Sequence, residues 1–152
     1  IKFERLDWSD IQKQIDVSIK GLFNILSLVL PTMKKNKHGN IICFSSQYVD
    51  SPKSELLHYT IAKSALSSFV KSIAIEYSPF GIRANIISPG MTETDLIMDV
   101  PEKTKLVTAA QTPLRRLANA KDMAGVVNFL ATDKSAFLTG ETIRVNGGQI
   151  ML

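Results

Sequence analysis

The chain has 152 residues, 45% hydrophobic and 21% charged, the balance of one folded unit with a real core and not of a disordered or low-complexity polypeptide. A net charge of +4 raises nucleic acid as a partner, yet the basic residues are scattered apart from Lys34, Lys35 and Lys37, which follow a long apolar helix where cations complement the helix dipole. The single cysteine, Cys43, has no partner, no cleavable leader is visible, and the longest apolar run, Leu22 to Leu30, is interrupted by Asn24 and Ser27 and followed by Pro31; a reducing cytoplasm, no membrane span and no nucleic-acid partner are therefore expected.

In chain order, residues 8 to 37 predict one long helix opened by Ser9 or Asp10. Ile11, Ile15, Leu22, Ile25, Leu26 and Val29 recur there at helical spacing, and Pro31 is a candidate kink. Asn40 to Phe44 is a short unbroken apolar run of the kind that forms a strand covered on both faces. A loop from Ser45 to about Leu57 leads to a second helix, with Ala62, Ala65, Leu66, Phe69, Val70 and Ile73 on one stripe, ending near Ser78 to Gly81. Ile82 to Ser88 predicts the next strand, broken by Pro89-Gly90.

The stretch from Met91 to about Arg116 shows no single period and is expected to be a lid-like segment over the site. Asn119 and Asp122 have the spacing of a capping box, opening a helix to about Thr132 with Met123, Val126, Val127 and Leu130 inward. Glu141 to Asn146 is the last predicted strand. Helix and strand alternate throughout, which is the pattern of an α/β doubly wound parallel sheet. Such a sheet places ligands at the C-terminal ends of its strands.

Chemistry concentrates at Tyr59 and Lys63, a phenol and an ammonium at i and i+4 on one helix face. A tyrosine with a pKa of about 10 is a poor proton donor or acceptor near neutrality, and a neighbouring cation lowers that value. Such tuning is what a general acid or base needs. Ser46 stands thirteen residues before Tyr59, at the end of the predicted strand. No zinc spacing, phosphate-binding Gly-rich loop or metal cluster is present, and His38 and His58 have no nucleophile beside them in sequence.

Ser46, Tyr59-x-x-x-Lys63, Gly81-Ile82-Arg83-Ala84-Asn85-Ile86-Ile87-Ser88-Pro89-Gly90, Thr94-Asp95, Pro113 to Arg116 and Leu138 to Gly148 occur in an order and at spacings that resemble the short-chain dehydrogenase/reductase family over essentially the whole chain. The resemblance implies a Rossmann-type fold and an oxidoreductase moving a hydride between NAD or NADP and a ketone or secondary alcohol. Tyr59 would exchange the proton, Lys63 would lower the Tyr59 pKa and bind the nicotinamide ribose, and Ser46 would hold the carbonyl oxygen. Pro89, Gly90, Thr92 and Thr94 would border the cofactor. The stretch from Pro113 to Gly148 looks most like 3-oxoacyl-acyl-carrier-protein reductases, so the implied partners are a small carbonyl or alcohol, or an acyl thioester, and a second copy of the chain in a homodimer or homotetramer.

Two departures qualify the resemblance. Ser18 holds the position of an asparagine that in the family serves a water chain to the lysine, and a serine hydroxyl offers fewer hydrogen bonds. The N-terminal strand, Gly-rich turn and helix that receive the dinucleotide phosphates do not occur in these residues, so the chain is read as the C-terminal portion, residues 1–152, of a larger Rossmann domain, inactive alone. The competing reading is a truncated, non-catalytic protein that keeps the fold to bind or to build.

Overall fold

A parallel sheet ordered β1 (Gly39–Phe44), β2 (Ile82–Pro89) and β3 (Thr142–Val145) organises the computed structural model, which describes residues 1–152. Gly39 pairs with Ile82 and Phe44 with Ile87 in the first ladder, and Ile86 with Thr142 and Pro89 with Val145 in the second. The central strand β2 is buried along Ala84–Ser88, which is why its apolar residues run nearly unbroken instead of alternating with polar ones. Within that wall Asn85 donates to the Leu138 carbonyl and accepts from the Glu141 N–H, while the buried Ser88 hydroxyl finds no protein partner; beside it, half-buried Arg83 donates to the Leu130 and Leu138 carbonyls.

Helices cover both faces. On one side α1 (Trp8–Ile15), α2 (Gly21–Asn36) and α3 (Leu57–Tyr77) enclose Leu26, Leu30, Leu66, Val70 and Ala74 against Ile41, Ile82, Ala84 and Ile86. On the other, α5 (Ala120–Ala131) sets Met123 and Leu130 against Ile87. The expected doubly wound α/β arrangement is thus observed. The Asn119 side chain caps α5 by accepting from the Lys121 and Asp122 N–H groups, and Asp122 accepts from the Asn119 N–H, the reciprocal exchange expected from that spacing.

The first long helix differs from its reading in four ways. It opens at Trp8, where Asp10 accepts from the Asp7 N–H, one turn's fraction earlier than Ser9 or Asp10. Pro31 sits inside α2 without ending it, and the irregularity falls instead at Asp16–Lys20, a π-helical turn that joins α1 to α2. Ile25, placed on the inward stripe by periodicity, points out at 60% exposure. Finally, Trp8–Asn36 forms a continuous helix of 29 residues, long and apolar enough to cross a membrane by length and composition alone. The apolar run Leu22 to Leu30 is far shorter, and it is only over the whole helix, across Asn24, Ser27 and Pro31, that this length is reached. In this fold the helix packs against α3 and β1.

Chain reversal after α2 depends on close backbone approach. Lys37 caps the helix in the left-handed conformation, and a Cβ on Gly81, which has φ of +72°, would fall 2.4 Å from the Lys37 carbonyl oxygen. Lys34 lies over the Phe80 ring at 4.1 Å, a packing use for part of the basic cluster. Within the segment 91–116 the structure has a short 3-10 turn at Asp95–Ile97 and a helix, α4 (Glu102–Gln111). That helix escaped the periodicity argument because it presents no buried stripe: Leu106 and Val107 are both exposed.

Candidate active site

Ser46 arrives at the C-terminal end of β1 and caps the 3-10 turn Gln47–Val49, its Oγ accepting from the Tyr48 N–H at 3.2 Å. That bond uses a lone pair and leaves the serine proton free to be donated. Its neighbour Ser45 has a different use. The Ser45 hydroxyl meets that of Ser67 at 2.8 Å and donates to the Lys63 carbonyl at 3.3 Å, tying the strand end to α3. Ser45 borders the same cavity as Ser46, but its hydroxyl is engaged with α3.

Tyr59 and Lys63 come from successive turns at the start of α3. The Lys63 ammonium donates to the Phe44 carbonyl at 2.9 Å and stands 5.8 Å from the centre of the Tyr59 ring. Burial pushes the Tyr59 phenol up from its ordinary value, the Ser46 hydroxyl beside it pulls in the opposite direction, and Tyr48 adds a further upward push. Burial also lowers the Lys63 ammonium, with Cys43 opposing. The Cys43 thiol is raised by burial, with Lys63 opposing.

Ser46, Tyr59 and Lys63 line one cavity of about 660 Å³ together with Pro89, Gly90, Thr92 and Thr94. Tyr48, Leu56, Met91, Leu96, Ile97 and Val100 supply an apolar wall, joining the loop after β1 to the segment after β2. Thr92 donates its hydroxyl to the Gly90 carbonyl at 3.0 Å, and Thr94 is exposed. Gly90 has a packing reason of its own, since a Cβ there would lie 2.9 Å from Asn146 Cα. Ser18 is not part of this lining; it is buried, 8% exposed, in the π-helical turn that packs against α3. No group of three or more His, Cys, Asp or Glu side chains is arranged as a metal site.

The arrangement brings a hydroxyl, a phenol and an ammonium to one wall of a cavity at the C-terminal ends of two parallel strands, where a planar ring can lie along the backbone of Pro89 to Thr92. The residues present fit the nicotinamide end of a dinucleotide on that ground. Sequence reasoning placed Met123 in the core alone; it also lines the cavity, as does the buried Gln47 at the head of the loop after β1.

A family model described as enoyl-(acyl carrier protein) reductase matches residues 1–149. The chain is 36% identical over 146 residues to the 3-oxoacyl-acyl-carrier-protein reductase FabG of Escherichia coli (strain K12), covering 96% of this chain and 59% of that protein. A gluconate 5-dehydrogenase from Burkholderia cenocepacia J2315, solved in complex with NADP and tartrate, superposes with a TM-score of 0.93 at 26% identity, over 98% of this chain and 59% of that one. A 3-oxoacyl-acyl-carrier-protein reductase from Brucella melitensis with bound NAD gives 0.91 at 29% identity, over 100% and 56%. The chain thus spans about three fifths of the length of the proteins it matches, in their order of elements and with the Ser46, Tyr59 and Lys63 pattern at one cavity. It belongs to the short-chain dehydrogenase/reductase family.

Proposed function

We propose that the protein carrying this chain is an NAD- or NADP-dependent oxidoreductase that interconverts a ketone and a secondary alcohol. The observation that carries the reading is the convergence of Ser46, Tyr59 and Lys63 on one cavity bordered by the backbone from Pro89 to Thr92. When bound, the nicotinamide supplies or accepts the hydride. In the direction of reduction Ser46 donates to the carbonyl oxygen and Tyr59 delivers its proton to that same oxygen as negative charge develops there. Lys63, already fixed by the Phe44 carbonyl, holds positive charge on the Tyr59 side of the cavity and has further N–H donors for a ribose hydroxyl. Lys63, Pro89, Gly90, Thr92 and Thr94 are the residues that would hold the nicotinamide half.

A substrate of the 3-oxoacyl type is the finer form of this proposal, favoured by the likeness to the reductases named above and by the apolar wall from Tyr48 to Val100. A cytoplasmic setting and assembly from like copies belong to the same proposal. The test is oxidation of NADPH or NADH by the complete protein in the presence of a ketone, beside its Tyr59→Phe variant. Turnover by the parent and a loss of at least about a hundredfold in a folded variant support the reading. Unchanged turnover in Tyr59→Phe overturns it, and a complete protein inert toward a broad set of ketones and alcohols favours a non-catalytic member of the fold.

A further inference from the structure

We propose that Ser67 is a positioning residue for this reaction: through Ser45 it fixes the turn of α3 that carries Lys63 against the end of β1 that carries Ser46, and so sets the Ser46 hydroxyl and the Tyr59–Lys63 pair at their working separation. The proposal rests on the ketone and alcohol reading above.

Three oxygens meet where β1 ends. The Ser67 hydroxyl is 2.9 Å from the Lys63 carbonyl oxygen and 2.8 Å from the Ser45 hydroxyl, which is itself 3.3 Å from that carbonyl. Two hydroxyl protons serve this triangle, and a carbonyl only accepts. Whichever way the hydroxyls turn, Ser45 is joined to the Lys63 carbonyl, directly or through Ser67. Without Ser67 the 3.3 Å contact alone remains, longer than an O–H···O bond normally is. Serines that donate to the carbonyl four residues back occur elsewhere, Ser27 to Phe23 and Ser72 to Ser68, but both are exposed and neither meets a second hydroxyl. Ser67 differs because its partner, buried Ser45, belongs to another element.

The link holds the groups that react. Ser45 precedes Ser46, and its N–H donates to the Ile87 carbonyl at 2.8 Å, which fixes the strand side. Lys63 follows Tyr59 by one turn of α3. A second tie runs beside the first, from the Lys63 ammonium to the Phe44 carbonyl at 2.9 Å, but that ammonium also faces the cofactor side of the site. The Ser45–Ser67 pair uses no group that passes a proton or holds the cofactor. Ser67 is absent from the lining of the substrate cavity and borders a second one, of about 250 Å³, that also touches Ser45 and Ser46. It therefore acts through its neighbours, and a small displacement of reacting groups is enough to cost rate.

The experiment measures single-turnover oxidation of NADPH or NADH by the complete protein with ethyl 3-oxobutanoate, or with another ketone of the set above should the parent prefer it. The parent is compared with Ser67→Ala, Ser67→Thr, Ser45→Ala and the double variant Ser45→Ala/Ser67→Ala. Ser67→Ala is expected to slow hydride transfer by about tenfold, with KM for ketone and cofactor within about twofold of the parent. Ser67→Thr keeps a hydroxyl, and the adjoining cavity has room for its methyl, so most of the rate returns. Ser45→Ala already severs the link, so adding Ser67→Ala to it costs no further rate. An unchanged rate in Ser67→Ala, a loss that Ser67→Thr does not recover, or losses that add in the double variant overturn the proposal. A loss confined to Tm overturns it as well, because Ser67 then braces the fold alone. Should Ser67→Ala fail to fold, Ser67→Cys, of similar shape with a weak donor, takes its place under the same expectations. A parent slowed by Tyr59→Phe and not by Ser67→Ala overturns this proposal only, whereas no hydride transfer by the parent to any ketone of the set overturns the oxidoreductase reading with it.

Discussion

Lys63 reaches back from α3 to the end of β1, where its ammonium donates to the Phe44 carbonyl at 2.9 Å while Nζ remains 5.8 Å from the centre of the Tyr59 ring. The lysine is thereby fixed before any ligand arrives, and its charge is held at the mouth of the strand end instead of swinging in solvent. Lys63→Met removes both the strand contact and the charge. It is expected to lower kcat/KM for ketone reduction by about 10² to 10⁴, the range typical of an essential acid–base partner. Lys63→Arg keeps the charge but replaces a compact ammonium by a planar fork that fits the Phe44 carbonyl poorly, and is expected to recover only part of the loss. Steady-state kinetics of the two variants check this.

The direction of the Tyr59 shift sets a pH profile. Burial raises the phenol, so its protonated form persists to higher pH than in a free tyrosine. Ketone reduction, which consumes the Tyr59 proton, should be flat through neutrality and fall only as pH rises through the raised value. Alcohol oxidation needs the phenolate and should increase over the same alkaline range. Cofactor binding adds its own charges, so the two directions must be measured at saturating cofactor, with kcat/KM followed against pH. A reduction rate that falls below neutrality with no other titrating group at the site would contradict the assignment of Tyr59 as the acid.

Asp122 lies at the N-terminus of α5 and accepts two bonds from Arg116, at 2.6 and 2.8 Å, and one from the Asn119 N–H at 2.8 Å. These partners hold its carboxyl at about 2, below the ordinary 3.8. A depressed folded value contributes stability that is fully present above the unfolded pKa and is lost as pH falls through the folded one. The difference in Tm between the parent and Asp122→Asn should therefore be constant above about pH 5 and shrink toward zero as pH falls toward about 2. The pair is at the surface, so the difference should also decrease with added salt. Thermal melts across that pH window check it.

Leu28 and Ile75 are 80% and 81% exposed on α2 and α3. Ile61 on α3 is also exposed, whereas Leu30 is buried at 6% in the core with Leu26. Leu30 lies one turn beyond Leu26 and shares its inward face. We propose that the exposed apolar face of α2 and α3 meets its own copy in the complete protein. Leu28→Glu with Ile75→Glu should then reduce the mass seen by light scattering coupled to size exclusion, with secondary structure unchanged. A monomeric parent at micromolar concentration would sink this prediction.

How much of this could be seen without coordinates depended on the kind of signal. The Tyr59 to Lys63 turn and the Asn119 to Asp122 cap are local and appear as geometry, and Ser46 and Tyr59, thirteen residues apart, line one cavity. The alternation of strand and helix was equally readable because β2 is buried on both faces and its composition shows it. What stayed hidden were the features decided by tertiary context. α4 has no inward stripe because it lies on the outside, and the π-helical turn leaves no compositional mark.

The central claim is that Tyr59 passes a proton while a hydride passes between cofactor and substrate within the cavity of Ser46 and Lys63. The most direct test follows the label: the complete protein is incubated with a ketone and a nicotinamide cofactor deuterated at the hydride position, and the product alcohol is analysed by mass spectrometry. The account predicts one deuterium on the carbinol carbon from the parent, none taken from solvent at that carbon, and a rate at least about a hundredfold lower in a folded Tyr59→Phe variant. Deuterium transfer at the parental rate in Tyr59→Phe, or product whose carbinol hydrogen comes from water, would contradict it.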